Sequence, residues 1–308
     1  MKRLALFGFR LLQFSMLGMG GVVVVLGLLY CGLLLRRPAR TPETRSLFQG
    51  IQYDRFTRDS PRPLLFHIIT IDLTTPDLEF LVTPQGIDPD GKETLADTVL
   101  GFLEKQDVQV AINGGFFYPH YVRTPLHYAP HVGEGVNAVG ISMSNGNLYS
   151  PPEEKWAALC IASARTIALE ESGFCPTGTR EAIAGSRLIV KDGQLVPNLE
   201  DEGFDASYDG YFPRTVVAVD KENQTMWWVV VDGRQWQYSE GIALDELSEV
   251  LIELGAERAL NLDGGGSTTL VIEEEGRAKV LNAPFQARVP TNLRPVANHL
   301  GVYAQPLE

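Results

Sequence analysis

The chain has 308 residues and a formal charge of −12, with 38 acidic against 26 basic side chains. That balance argues against nucleic acid as a partner, because binding a phosphate backbone takes a basic face. An apolar share of 44% and a charged share of 21% argue against a disordered chain, and 30 Gly with 19 Pro favour strands and tight turns over a helical bundle.

Residues 1–10 read as a short tail. Leu11 to Leu35 run for 25 positions without a charge. At about 1.5 Å per residue that run reaches roughly 37 Å, enough to cross a hydrocarbon core of about 30 Å. A cleaved signal peptide has an apolar stretch of only about 7–15 residues, and here Arg36-Arg37-Pro38 follow directly. Residues 11–35 are therefore expected to be a retained transmembrane anchor. Lys2, Arg3 and Arg10 on one side nearly balance Arg36, Arg37, Arg40 and Arg45 on the other, so flanking charge does not set the orientation. Cys31 lies inside the run, but Tyr30 stands where lipoprotein processing needs a small residue.

Residues 36–63 have the Pro and charge content of a linker, ending in a first strand around Ile51 to Phe56. From residue 64 onward one domain is expected. Leu64 to Asp72 is a strongly apolar strand. Thr94 with Asp97 offers a helix start, followed by the stripe Leu95, Val99, Phe102, Leu103. Val108 to Ile112 is a short buried strand, and Val139 to Met143 and Leu188 to Lys191 are strands closed by Gly turns. Thr215 to Val219 and Met226 to Val231 form two more. Leu244, Leu247, Val250, Leu251 and Leu254 then mark a helix stopped at Gly255. Ala259 to Leu262, Leu270 to Ile272 and Lys279 to Leu281 complete the strands. The class is mixed α and β, strand-rich, with two clear helices in the domain.

Cys160 and Cys175 lie fifteen apart. They read either as a bridge, whose loop closure is worth about 3 kcal/mol in an oxidising compartment, or as two buried thiols. No Cys-x-x-Cys or Cys/His cluster indicates zinc.

Between two strands lies Asp263-Gly264-Gly265-Gly266-Ser267-Thr268-Thr269. Three glycines strip side chains from the bend, so a ligand can approach the backbone. Successive free N–H groups can form an anion nest. The hydroxyls and the Asp263 carboxylate add polar groups suited to a phosphate ester. A tight turn needing positive φ is the competing reading. A P-loop is excluded, since no Gly-Lys-Ser/Thr is present.

Arg214 and Arg234 lie at strand ends, as does Asp232. A guanidinium fork can hold two phosphate oxygens at once, so these groups suggest an oxyanion clamp with acid/base partners. Taken singly, each Arg reads first as a surface ion pair, and only their coincidence at strand ends favours the clamp. Asn113 ends a buried strand before Gly114 and could face a ligand or simply form a turn. His120, His127 and His131 occupy an aromatic loop with Tyr118, Tyr121 and Tyr128, which suits sugar stacking. No carboxylate shares a ligand-like spacing with them, and no metal or cofactor is expected. His299, beside Asn298, reads as a proton carrier or as a structural imidazole.

Asn261-Leu262-Asp263-Gly264-Gly265-Gly266-Ser267-Thr268-Thr269 resembles the signature of the phosphodiester glycosidase family. Ala111 to Phe117, Pro213-Arg214-Thr215, Val231-Asp232-Gly233-Arg234, Ser239-Glu240-Gly241, the helix with Asp245-Glu246-Leu247, and Arg294-Pro295-Val296-Ala297-Asn298 follow in that family's order. The likeness runs from about Leu64 to the C-terminus. Tyr118 to Asn137 and Glu171 to Glu181 depart from it as insertions expected to shape the substrate mouth.

The resemblance implies an α/β fold and hydrolysis of a sugar joined to another group through phosphate. It makes Asp263 and Asp232 acid/base groups and Arg214 and Arg234 phosphate clamps. Asn113, Ser267 and Thr268 become hydrogen-bonding groups, and Gly114, Gly264, Gly265, Gly266 and Asn298 line the substrate. The expected partner is a phosphodiester-linked glycan of the cell envelope or an exported polysaccharide, met outside the cytoplasm. The alternative is a non-catalytic module that binds anionic glycan during polysaccharide export or envelope assembly.

Overall fold

The computed structural model describes residues 21–86, 89–162, 166–197 and 210–307. Three antiparallel sheets carry the domain. The largest has eight strands, in the order Glu43–Phe48, Ile51–Arg58, Leu64–Asp72, Thr225–Val231, Arg214–Val219, Arg258–Asn261, Arg187–Lys191 and Gln194–Leu195. A second has five, in the order Arg277–Val280, Leu270–Glu274, Val110–Asn113, His299–Tyr303 and Glu79–Val82. The third runs Asn147–Ser150, Ser142–Ser144, Glu181–Ala184, Ala158–Ile161 and Ile167–Glu170.

One core joins all three. Ile69, Val217, Trp228 and Val230 of the large sheet meet Ile112, Leu270 and Val302 of the second and Leu159 and Ile183 of the third. Side chains alternate across a strand, so the neighbouring positions face the other way. Phe66, Ile68, Val216 and Val229 pack outward under the Leu244–Glu253 helix through Leu247, Val250 and Leu251. On the far side, the Val99–Gln106 helix lays Phe102 and Leu103 on Ala111 and Val271 of the second sheet. Central strands buried on both faces need apolar side chains at every position, which is why Met226 to Val231 is continuously apolar and continuously buried. Truncating fully buried Trp228 to Ala would cost about 3–5 kcal/mol.

Two expected elements shift. Thr94 and Leu95 pair as strand with Val136 and Gly135, and the helix is instead capped by Thr98, whose Oγ1 accepts from the Gly101 N–H at 3.0 Å. The strand expected over Val139 to Met143 is broken at Gly140. That residue has φ +70°, and an added Cβ would sit 2.7 Å from the Ala184 Cβ. Cys160 and Cys175 are bridged, with Cα atoms 5.6 Å apart.

Of the expected anchor, residues 11–20 lie outside the described residues. Residues 21–34 are helical, exposed through Gly32 and half-buried at Leu33 and Leu34, and no helix among the described residues is long and apolar enough to cross a membrane.

The sheet register gathers the motifs. Arg214 pairs with Val231, and Val216 with Asn261, so Arg214, Asp232 and Asp263 leave one edge of the large sheet. In the second sheet, Ile112 pairs with Leu270 and Asn113 with His299. The Asp263–Thr269 segment is thus the crossover between the two packed sheets, at the mouth of the sandwich.

Candidate active site

The crossover is stapled from beneath by Asn113. Its Nδ2 donates to the Asp263 carbonyl at 2.7 Å, and its Oδ1 accepts from Thr215 Oγ1 at 2.8 Å and from the Thr269 N–H at 3.1 Å. With its amide spent on both ends of the loop and no exposure, Asn113 positions the bend, the second of the two roles open to it in the sequence. Gly114 and Asn298 lie behind it. Gly114 donates to the Asn298 carbonyl at 2.9 Å and accepts from the Asp263 N–H at 3.1 Å. The Asn298 side chain accepts from the Gly115 N–H and donates to Ser142 Oγ, both at 2.8 Å.

The loop amides are largely spent as well. Gly264 N–H donates to Asp263 Oδ1 at 2.8 Å, Gly265 N–H to the Pro213 carbonyl at 2.9 Å, and Ser267 N–H to the Gly264 carbonyl at 3.2 Å. The bend therefore keeps few of the free N–H groups that a nest would need. Its glycines instead make room. Gly265 has φ +62°, and a Cβ there would lie 3.1 Å from an Arg234 nitrogen; one on Gly266 would lie 2.8 Å from Arg294 Nη2. Guanidinium groups close over the bare backbone.

The resulting open cleft, of about 220 Å³, is lined by Phe116, His120, Phe212, Arg214, Arg234, Asn261, Asp263, Gly264, Gly265, Gly266 and Arg294. Asp263 Oδ2 accepts from Ser267 Oγ at 2.5 Å, and Ser267 Oγ accepts from Arg294 Nη1 at 3.1 Å. Burial raises the Asp263 carboxyl above its ordinary range. The Arg294 charge, the Ser267 hydroxyl, the His120 ring and the Gly264 N–H all pull it back. Burial also lowers both Arg234 and Arg294; Arg294 adds to the lowering of Arg234, while Asp263 opposes it at both. Two cations and one carboxylate thus feel one another across the cleft.

Arg214 is almost fully buried. Its Nε donates to the Ile242 carbonyl at 3.2 Å and Nη2 to the Gly210 carbonyl at 3.3 Å. Arg234 keeps part of its side chain exposed at the rim of the cleft, and its guanidinium donates no hydrogen bond to any described residue. Both guanidinium groups lie over the Phe212 ring, with Cζ 5.5 and 5.0 Å from its centroid.

Asp232 does not reach the cleft. It is 1% exposed and accepts from Asn282 Nδ2 at 3.1 Å and from the Ala283 N–H at 2.9 Å, with His67 Nε2 at 3.2 Å. The strand that carries it turns its side chain into the sandwich, so Asp232 holds the 282–283 segment and is not placed for acid/base work in the cleft. Thr268 is equally buried, and its hydroxyl finds no partner among the described residues. Arg294, His120, Phe116 and Phe212 were not assigned this place from sequence. Arg294 opens the last family-like block and Phe212 precedes Pro213-Arg214; those positions were the available signal.

Of the two insertions, only the first reaches the mouth, through His120, Tyr121 and Val122. Residues 171–181 carry Cys175 and adjoin the third sheet instead. Among the described residues no group of three His, Cys, Asp or Glu converges as a metal ion would require.

Comparison with the curated proteins finds no match. Among solved structures, the chain is similar to a protein from Synechocystis at TM-score 0.65 and 18% identity, covering 87% of this chain; the chain spans 64% of that structure. It is similar to the catalytic domain of zebrafish N-acetylglucosamine-1-phosphodiester alpha-N-acetylglucosaminidase, auto-inhibited by its pro-peptide, at TM-score 0.58 and 21% identity, covering 88% and 87% of the two chains. A third neighbour is a Burkholderia pseudomallei protein described as exported, at TM-score 0.57 and 16% identity, covering 78% and 74%. These likenesses establish the fold. The phosphodiester glycosidase profile matches residues 106–303, a span that holds the Asp263 loop and all three cleft arginines, and the chain belongs to the phosphodiester glycosidase family.

Proposed function

We propose that the chain hydrolyses the bond between a sugar and a phosphate in phosphodiester-linked glycans, outside the cytoplasm, held to a membrane by residues 11–35. The observation that carries this reading is the cleft itself, which sets Arg294 and Arg234, the latter's guanidinium without a hydrogen-bond partner among the described residues, beside the Asp263 carboxyl at a glycine bend. A module that only bound an anionic glycan would use the same carboxylate to accept from a sugar hydroxyl, so turnover is what separates the two readings. An enzyme uses it to move a proton. The Cys160–Cys175 bridge, the apolar stretch 21–34 and the exported Burkholderia neighbour support the placement.

Arg234 and Arg294 neutralise the phosphate as the bond to the anomeric carbon breaks, where fixed cations cost no reorganisation. Phosphate leaves without a strong acid, so the demanding task is orienting water and supporting an oxocarbenium-like sugar. Asp263 is the one carboxylate among the described cleft residues. It takes the proton of the attacking water, and its raised pKa makes it a better base than an ordinary Asp. His120, the cleft's one imidazole, carries the proton onward.

Incubating the protein with chromogenic sugar 1-phosphodiesters tests the reading. Sustained release of free sugar and of the intact chromophore phosphomonoester is expected, with oxygen-18 from labelled water on the sugar. Saturable binding without release would make the chain a binding module, and label on the phosphate would move the cleavage to phosphorus.

A further inference from the structure

The cleft around Asp263 opens into a larger cavity, of about 850 Å³, whose walls include Tyr30, Tyr121, Val122 and Phe285. His120, Arg234 and Arg294 line both spaces. Two cations and an imidazole therefore stand at the divide. On one side lies the glycine bend, and on the other a chamber whose aromatic and apolar side chains, Tyr30, Tyr121, Val122 and Phe285, share the wall with Gln286 and Arg288. A phosphodiester has the matching layout, one anionic centre with two substituents leaving it in different directions.

Tyr30 belongs to the helical stretch 21–34, where Val22 to Leu26, Leu28 and Leu29 are each more than half exposed. An uninterrupted apolar surface of that size needs a cover, and a bilayer supplies one. The stretch is pinned to the domain close to the phosphate site. The Arg37 guanidinium lies 4.3 Å from the Tyr238 ring centroid, and the Tyr238 hydroxyl donates to the Pro38 carbonyl at 2.9 Å. Arg40 pairs with Asp59 at 2.5 Å, and Arg55 Nε donates to the Thr41 carbonyl at 2.8 Å. Tyr238 is only four residues past Arg234, so the docking point lies within about 14 Å of the Arg234 backbone. Beside the cavity, the hairpin Tyr121–Thr124 and His127–Ala129 carries Leu126 at its tip, 93% exposed.

We infer that the substrate is a lipid-linked sugar phosphodiester. This rests on the anchored-hydrolase reading and adds what lies beyond the phosphate. The sugar occupies the Asp263 cleft, the phosphate sits between Arg234 and Arg294, and the lipid-bearing group leaves through the chamber beside Tyr30 with its chain still in the bilayer. Water oxygen bonds to the anomeric carbon and the carbon–oxygen bond to phosphate breaks. The electron pair stays on the phosphate oxygen, and the water proton passes to Asp263. The products are a free sugar and a lipid phosphomonoester. Confinement of enzyme and substrate to one surface raises their effective concentration.

The full chain in phosphatidylcholine vesicles is offered hexadecyl and ethyl esters of N-acetylglucosamine, glucose and mannose 1-phosphate. Turnover of a vesicle-borne hexadecyl ester is expected to exceed that of its soluble ethyl ester by at least about tenfold. Leu126→Ser should lower the former several-fold and leave the latter unchanged. Equal turnover of the two esters, or an equal loss in the variant, would overturn the inference while leaving the hydrolase reading intact. Failure to hydrolyse either ester would sink the hydrolase reading instead, and failure to float with vesicles would sink the anchor. In those cases hydrogen exchange decides: protection of residues 118–124 and 285–288 by the hexadecyl ester supports the lipid site, and unchanged exchange removes it.

Discussion

Ser267 donates to Asp263 Oδ2 at 2.5 Å while accepting from Arg294, so one hydroxyl holds the carboxyl and the cation in register. Asp263→Asn keeps an acceptor for the Gly264 N–H and relieves the cost of burying a carboxylate. It also removes the charge that faces Arg294. These effects oppose each other, and the melting temperature should stay within about 3 °C of wild type. Turnover should fall by about 10²–10⁴, the range of a lost acid/base group. A calorimetric scan beside a rate assay checks both, and an active Asn variant would remove Asp263 from the mechanism. In the wild type, the acid limb of the pH–rate profile should lie above the ordinary Asp range, because burial raises this group.

Arg234 and Arg214 share Phe212 but differ in attachment. The Arg234 guanidinium has no hydrogen-bond partner among the described residues, so truncating it leaves no described carbonyl stranded. Arg234→Ala should keep its far-UV circular dichroism and melting temperature and lose about 10²–10³ in kcat/KM, with Arg234→Lys recovering part. Arg214→Ala strips donors from the Ile242 and Gly210 carbonyls and should lower the melting temperature as well. Parallel losses of stability in both variants would make Arg234 a structural cation.

Asp232 serves the fold. Asp232→Ala leaves the Asn282 amide, the Ala283 N–H and His67 without their acceptor inside the sandwich. A loss of about 3 kcal/mol in urea unfolding is expected, because a broken buried polar network bears the full desolvation of its orphaned groups. Activity per folded molecule at low temperature should persist. If activity vanishes while stability holds, Asp232 acts in the cleft after all.

Strands such as Leu64–Asp72 and Thr225–Val231 were legible because buried central strands are apolar at every position, and the Asp263 loop because three glycines between strands have few uses. What one sequence cannot carry is the direction a strand-end side chain takes. Asp232 and Asp263 both follow apolar strands that end beside an Arg-bearing segment, yet one turns into the sandwich and the other into the cleft. Asn113 likewise keeps two readings in the sequence because its amide partners, Thr215 and Thr269, are more than a hundred residues away. Arg294 escaped assignment for the same reason: its contact with Ser267 spans 27 positions. The helix start at Thr94 failed because pairing with Gly135 and Val136 claimed that residue for a strand.

His299 offers a test of stability apart from catalysis. It is fully buried and stacked on Phe102 at 4.7 Å, with Nδ1 2.8 Å from Thr83 Oγ1 and Nε2 3.1 Å from the Asp97 carbonyl. Burial lowers its pKa to about 4; Asp97 opposes that shift and Lys105 adds to it. Between about pH 6.5 and 4 the unfolded chain therefore binds a proton that the folded chain refuses. Stability rises with pH across that window and is lost as pH falls through it, by up to about 3 kcal/mol. Glu181, whose carboxyl burial raises, works in the opposite direction. Urea midpoints for wild type and His299→Gln at pH 7 and pH 4.5 separate the contributions. The variant should begin less stable and lose less on acidification. Equal losses in the two proteins would assign the acid sensitivity to other groups.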